Sequence, residues 1–132
     1  MILVDTSVWI DFFRPRPGNA GTELRRIIAD SEPVALTGMV VTEILQGLTR
    51  DADAVEDYLF QWDLLEPGGF ETYRHAASIV RLGRSKGISL TTVDALIAAI
   101  AVEHGAALFT MDTDFSRIAR ISNLSLYPPA TE

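Results

Sequence analysis

Residues 91–115, TTVDALIAAIAVEHGAALFTMDTDF, decide the fold. Thr91 can cap a helix over Thr92–His104, apolar along most of its length, and Gly105 ends it. Ala107–Thr110 then reads as a short strand that is apolar on both faces, with Asp112 just beyond its end. A helix over Asp114–Arg120 and a strand over Leu124–Tyr127 follow. A strand apolar on both faces must be covered on both faces, which is the condition of a parallel sheet between helices. Towards the N-terminus the same unit recurs. Ile2–Val4 reads as a strand closed by Asp5, and Thr6 or Ser7 can cap a helix over Val8–Arg14. The stretch PRPGNAG (Pro15–Gly21) is a loop on turn chemistry, followed by a helix over Thr22–Asp30 and a strand over Pro33–Leu36. Helices over Gly38–Thr49 and Asp51–Asp63, a brief strand at Leu64–Leu65 and a long helix over Phe70–Lys86 complete the alternation. The tail PPATE (Pro128–Glu132) is expected to fray.

The 132 residues suit one domain spanning the chain. At 48% apolar and 22% charged residues, disorder is excluded. The absence of cysteine excludes a disulfide scaffold, thiol catalysis and cysteine-ligated zinc. Asp5 interrupts the N-terminal apolar run, so no signal peptide is expected. The longest apolar run, Ala95–Val102, is too short to cross a bilayer, and a cytoplasmic protein without membrane contact is the expectation. A net charge of −7 disfavours a polyanionic partner, unless the acids are concentrated where divalent metal sits. The bases are arginines except Lys86, and arginine grips phosphate as a planar fork.

Four acids occupy positions that ask for an explanation. Asp5 and Asp112 each follow a strand, and ligands bind beyond the carboxyl ends of parallel strands where the strand order reverses. If those strands are neighbours, the two carboxylates share a crevice; helix capping and turn formation are the alternatives. Glu43 lies inside the apolar helix MVVTEILQG with no basic residue at helical spacing, so it either lines a buried face or sits on the solvent side beside Thr42 and Gln46. Asp94 stands at capping-box spacing from Thr91 and has the apolar Ile97 and Ala98 as neighbours. Together such acids offer hard oxygen ligands, which favour Mg²⁺ or Mn²⁺ over zinc and suit metal-assisted phosphoryl transfer.

At these residues the chain resembles a known family. LVDTSVWIDFF (Leu3–Phe13), VVTEILQG (Val40–Gly47), TTVDALIAAIA (Thr91–Ala101) and LFTMDTDFSRI (Leu108–Ile118) resemble the four motifs of PIN-domain nucleases, and more narrowly those of the VapC toxins of bacterial type II toxin–antitoxin pairs. The resemblance implies a three-layer α/β fold with a short, mostly parallel five-stranded sheet in the order 3-2-1-4-5. It implies a metal-dependent endoribonuclease whose acidic quartet falls on Asp5, Glu43, Asp94 and Asp112. Asp114 matches a further acid of the last motif. Ser7 matches a hydroxyl that orients the first aspartate, and Thr110 is a polar position at the site's edge. A VapB-like antitoxin, an RNA substrate and a homodimer are the implied partners.

Arg14 and Arg16 flank the first loop near Asp5 and are candidates for phosphate contact; Arg74, Arg81 and Arg84 share one helical face and are either solvated or further RNA contacts. Trp9, Phe12 and Phe13 read first as core, yet the first helix is apolar nearly all round, which points to cover of part of it by another chain. His75 and His104 are not expected to be catalytic. Competing readings are a housekeeping RNA-processing nuclease without an antitoxin and a non-catalytic binding module whose acids merely cap helices. A signalling receiver fails because the only lysine, Lys86, precedes the helix of Asp94 instead of following the last strand, and the Asp112-Thr113-Asp114 run does not fit the phosphatase nucleophile motif.

Overall fold

The computed structural model describes residues 1–128. Its elements are β1 (Ile2–Val4), α1 (Thr6–Phe13), α2 (Asn19–Ala29), β2 (Val34–Thr37), α3 (Gly38–Gln46), α4 (Ala52–Phe60), β3 (Asp63–Leu65), α5 (Phe70–Ser85), α6 (Thr92–Glu103), β4 (Ala107–Phe109), α7 (Asp114–Ile121) and β5 (Ser125–Tyr127). The strands form one sheet in the order β3-β2-β1-β4-β5, parallel throughout. That is the expected order. Leu3 sits beside Ala35 on one side and Leu108 on the other, so β1 is the central strand and is wholly buried. The chain leaves β1 toward β2 and later returns to β1's other side as β4. The order therefore reverses between β1 and β4, and the Asp5 N–H donates to the Phe109 carbonyl at 2.9 Å across that boundary. No helix among the described residues is long and apolar enough to cross a membrane.

Helix α6 explains why the sheet can be closed so tightly. Ala95 and Ile97–Ala101 are all buried, and the alanines let the helix lie close to its neighbours. On the other face Val8, Trp9, Leu24 and Ile27 are fully buried, and Phe115 and Ile118 of α7 extend the core beside β4.

Several boundaries differ from expectation, each for a local reason. Helix α1 begins at Thr6, because the Asp5 carbonyl already accepts from the N–H groups of Val8 and Trp9. Helix α2 begins at Asn19, inside the stretch expected to be loop, and the acceptor that makes this feasible comes from another helix, as shown below. Helix α3 stops at Gln46, capped by Gly47, short of Thr49. Residues 129–132 of the tail lie outside the described part of the chain.

The aromatic face of α1 follows the core reading. Trp9 is fully buried, Phe13 stacks on it at 5.8 Å, and Phe12 lies 5.8 Å from Tyr58 of α4, which in turn meets Trp62 at 6.1 Å. Tyr58 of α4 and Trp62 just beyond it cover these rings from within the chain. Of the apolar side chains of α1, Ile10 alone stays largely exposed, at 48%.

Candidate active site

Asp5 closes β1 and is buried. It occupies the N-cap position of α1, yet its carboxylate caps nothing. Instead Oδ2 accepts from the Thr110 hydroxyl at 2.8 Å and the Ser7 hydroxyl at 3.1 Å. Those hydroxyls are bridges. Ser7 Oγ accepts from the Met111 N–H at 3.0 Å, and Thr110 Oγ1 accepts from the Asp112 N–H at 3.0 Å. Asp112 Oδ1 then accepts from the Asp114 N–H at 2.9 Å, a local turn of the kind aspartate forms readily. The end of β1 and the loop after β4 are thus tied together through Asp5, Ser7 and Thr110. The expected crevice exists, and its hydrogen bonds hold two of its walls in register.

Asp94 enters from the first turn of α6. The Thr91 hydroxyl accepts from the Asp94 N–H at 3.1 Å, so Thr91 performs the capping and the Asp94 carboxylate is left for another purpose. It faces Asp112 and Asp114, each of the three offering an oxygen within 4.8 Å of the others. Burial pushes the Asp94 carboxyl up to about 6, and the nearby charges of Asp112, Asp5 and Asp114 push the same way against a Thr91 hydrogen bond. Among the described residues no salt bridge reaches Asp5, Asp94 or Asp112; only Asp114 has a cationic neighbour, Arg117 at 3.6 Å. Converging carboxylates that lack a counter-charge are costly unless a cation joins them, and an all-oxygen donor set suits a hard divalent ion. The residues present fit such an ion.

Glu43 is placed differently from the other three. It is exposed on α3 beside Thr42 and Gln46, while Val40 and Ile44 face the core. The idea of a carboxylate on a buried apolar face does not hold, because α3 is amphipathic and Glu43 is on its outer side. It nevertheless accepts from the Thr6 hydroxyl at 2.9 Å, which anchors it next to the end of β1. It lies outside the trio of Asp94, Asp112 and Asp114.

Arg14 and Arg16 are both exposed. Arg14 borders two hollows, which share Ile10 with it as lining. One, of about 300 Å³, is lined by Ser7, Ile10, Asp11, Arg14, Met111 and Asp112; the other, of about 380 Å³, includes Glu43. The loop that carries the arginines is not loose. Asp11, which sequence reasoning passed over, is buried at the end of α1 and accepts from the N–H groups of Gly18 at 3.0 Å and Gly21 at 2.7 Å. These belong to the first turn of α2, whose N-cap is the side-chain-less Gly18, so Asp11 caps α2 from a neighbouring helix. The two backbone hydrogen bonds, Gly18's first, hold the Asp11 carboxyl below its usual range. The available signal was the absence of any capping side chain at Gly18 with an unexplained aspartate one turn upstream of the loop.

The remaining candidates lie elsewhere. Arg74 pairs with Glu71, whereas Arg81 and Arg84 line a hollow with Tyr73 between α5 and α6. His104 Nε2 meets the Glu66 carbonyl at 2.7 Å, which ties the end of α6 to the segment after β3.

The comparisons with known proteins agree with this geometry. Residues 2–121 match the PIN domain family model. The chain is 36% identical over 128 residues to ribonuclease VapC11 of Mycobacterium tuberculosis, covering 94% of this chain and 96% of the relative. It is 31% identical over 130 residues to ribonuclease VapC32 of the same organism, covering 96% of each. Among solved structures, VapBC2 from Rickettsia felis, bound to a DNA fragment from its promoter, superimposes with a TM-score of 0.74 at 20% identity, covering 96% of this chain and 97% of that one. With a parallel sheet that reverses between β1 and β4, an acidic crevice at that reversal, and relatives matched along nearly their whole length, the chain belongs to the PIN-domain family, within its VapC ribonuclease branch.

Proposed function

We propose that this protein is the toxin of a toxin–antitoxin pair and cuts RNA internally by hydrolysis of phosphodiester bonds, with Mg²⁺ or Mn²⁺ held by Asp5, Asp94, Asp112 and Asp114 and with Glu43 as the outermost acid of the set. The observation that carries this reading is the trio of Asp94, Asp112 and Asp114 beside the buried Asp5, offset only by Arg117 at 3.6 Å from Asp114. When bound, the cation supplies water activation and neutralises charge on the phosphate. The protein's own groups do the rest. Ser7 and Thr110 fix the Asp5 carboxylate, and through Met111 and Asp112 they fix the loop after β4. Arg14, which borders the hollow that contains Ser7 and Asp112, and Arg16 two residues further on would receive backbone phosphates flanking the cut. The reading as a binding module loses support because the Asp5 carboxylate caps nothing and Thr91 makes the cap of α6.

A VapB-type antitoxin that covers the crevice, and a second copy of the toxin, are the partners of this reading. The decisive experiment incubates the purified chain with total RNA, with Mg²⁺, with Mn²⁺ or with excess EDTA, and sequences the cut ends. Cleavage at discrete sites only with divalent metal is expected; full activity in EDTA overturns the reading. Co-expression with the product of an adjacent small gene separates a toxin, whose cleavage it suppresses, from a housekeeping nuclease that it leaves active.

A further inference from the structure

The geometry points to Asp11 as the positioning residue for Arg14: it anchors the start of α2 and tethers the Arg14 guanidinium at the rim of the acidic crevice, where that cation receives a backbone phosphate of the RNA. The inference rests on the nuclease reading above and assigns a residue which that reading leaves without a task.

Both Asp11 oxygens are committed to backbone donors, Oδ1 to Gly18 and Oδ2 to Gly21, so the carboxylate cannot swing away. The helices approach so closely here that a Cβ on Gly21 would stand 2.7 Å from the Asp11 carbonyl carbon. Arg14 is then held at three points. Its N–H donates to the Asp11 carbonyl at 3.2 Å, its carbonyl accepts from Arg25 Nη2 at 3.1 Å, and its own Nη1 lies 3.5 Å from Asp11 Oδ1. Arg25 also donates to the Phe12 carbonyl and lies over the Phe12 ring at 5.7 Å, which keeps this clamp in place. The contact from Arg14 to Asp11 is long and one-sided, and the Arg14 side chain stays 64% exposed. It therefore keeps most of its fork for a ligand while its direction is set. The hollow it borders also contains Ser7 and Asp112, so a phosphate on Arg14 lies within the same crevice as the acids. In a chain of net charge −7, an acid-lined crevice needs such a placed cation to admit a polyanion.

The test measures kcat and KM on a short RNA cut by the wild type, over a range of salt, for Asp11→Asn, Arg14→Ala and the double variant. Each single variant is expected to raise KM by about tenfold with a smaller change in kcat, and to lower the salt slope by about one unit. The double variant is expected to be no worse than Arg14→Ala, because Asp11 acts through Arg14. Additive losses, or a fall confined to kcat, would overturn the assignment. Should Asp11→Asn fail to fold, Gly18→Pro replaces it: the φ of −79° suits proline, one anchor of the carboxylate is lost, and the added ring, whose Cβ would stand 3.2 Å from Asp11 Oδ2, pushes the retained acid off its seat. An unchanged KM in Gly18→Pro is then the overturning result. If the wild type cuts no RNA at all, the nuclease reading fails separately. The dissociation constant of a fluorescein-labelled single-stranded RNA then decides the tether, which falls if wild type, Asp11→Asn and Arg14→Ala bind equally.

Discussion

Asp11 and Asp94 are both aspartates drawn in from the surface, and their surroundings push them in opposite directions. At the corner of α1 and α2, Asp11 meets two backbone N–H groups, and its carboxyl sits below the ordinary value of 3.8. At the start of α6, Asp94 meets burial and the charges of Asp112, Asp5 and Asp114, and its carboxyl is raised to about 6. The first environment is satisfied by the protein itself. The second is completed only by something positive from outside. Burial of an acid is therefore not by itself the mark of a functional site; convergence of several acids with too little counter-charge is.

The sharpest way to break this comparison is to neutralise each acid in turn. Asp94→Asn is expected to lower the cleavage rate by about 10²-fold or more, as for other lost metal-site interactions. The metal-free variant should melt at the same temperature as wild type or higher, since a repelling charge has gone. Added Mg²⁺ should raise the melting temperature of wild type more than that of the variant. A variant that cleaves at the wild-type rate would remove Asp94 from the site. Asp11→Ala is expected to show the reverse pattern, a clear loss of stability by about 2–3 kcal/mol from two orphaned donors and a lost cap. Thermal melting checks this, and a melting temperature within a degree or two of wild type would show that water replaces the carboxylate without cost.

Acid separates the two residues more finely. The folded protein holds a proton on Asp94 up to about pH 6, whereas the unfolded chain releases it near the ordinary value of 3.8. Folding thus binds a proton between those values, and the contribution of Asp94 to stability falls as pH rises from about 4 to about 6. Asp11 has the opposite sign: its contribution is present above 3.8 and is lost as pH falls through its lowered folded value. In EDTA, the melting temperature of wild type relative to Asp94→Asn should rise on going from pH 7 to pH 5. After allowance for solvent screening the corresponding change in relative stability is on the order of 1 kcal/mol. A difference that does not move with pH would mean that Asp94 is not desolvated in solution.

The sheet was legible because its strands are short, apolar on both faces and punctuated by glycine, and because the alanine-rich α6 could only be central. Asp5, Asp94 and Asp112 were legible because strand ends and helix starts are local features. What depended on contacts between distant elements was not. The start of α2 is set by Asp11 across a loop, so residues 15–21 looked like turn from their own chemistry. The aromatic face of α1 looked in part like an interface because Tyr58 of α4 and Trp62 beyond it, which cover it, are distant in sequence. Glu43 looked buried because the helix around it is apolar by composition, whereas its side chain points outward by phase.

Glu43 also gives the smallest predicted effect and the finest test of where the site ends. It is exposed and stands apart from the trio, and its one tie is to Thr6. Glutamine keeps an acceptor for that hydroxyl, so Glu43→Gln should leave the stability of the metal-free protein, read by thermal melting, within about 0.5 kcal/mol of wild type, as for ordinary surface changes. Its effect on cleavage should be smaller than that of Asp94→Asn, about tenfold, because one charge is lost from the rim of the set and none from its centre. The comparison is made at low and high Mg²⁺. If Glu43 helps to hold the ion, high Mg²⁺ recovers most of the rate in Glu43→Gln and little of it in Asp94→Asn. A Glu43→Gln enzyme equal to wild type at low Mg²⁺ would place the boundary of the site at Asp5, Asp94, Asp112 and Asp114. A loss as deep as that of Asp94→Asn would mean that α3 moves inward when metal binds, and that the distance of Glu43 from the trio belongs to the metal-free protein alone.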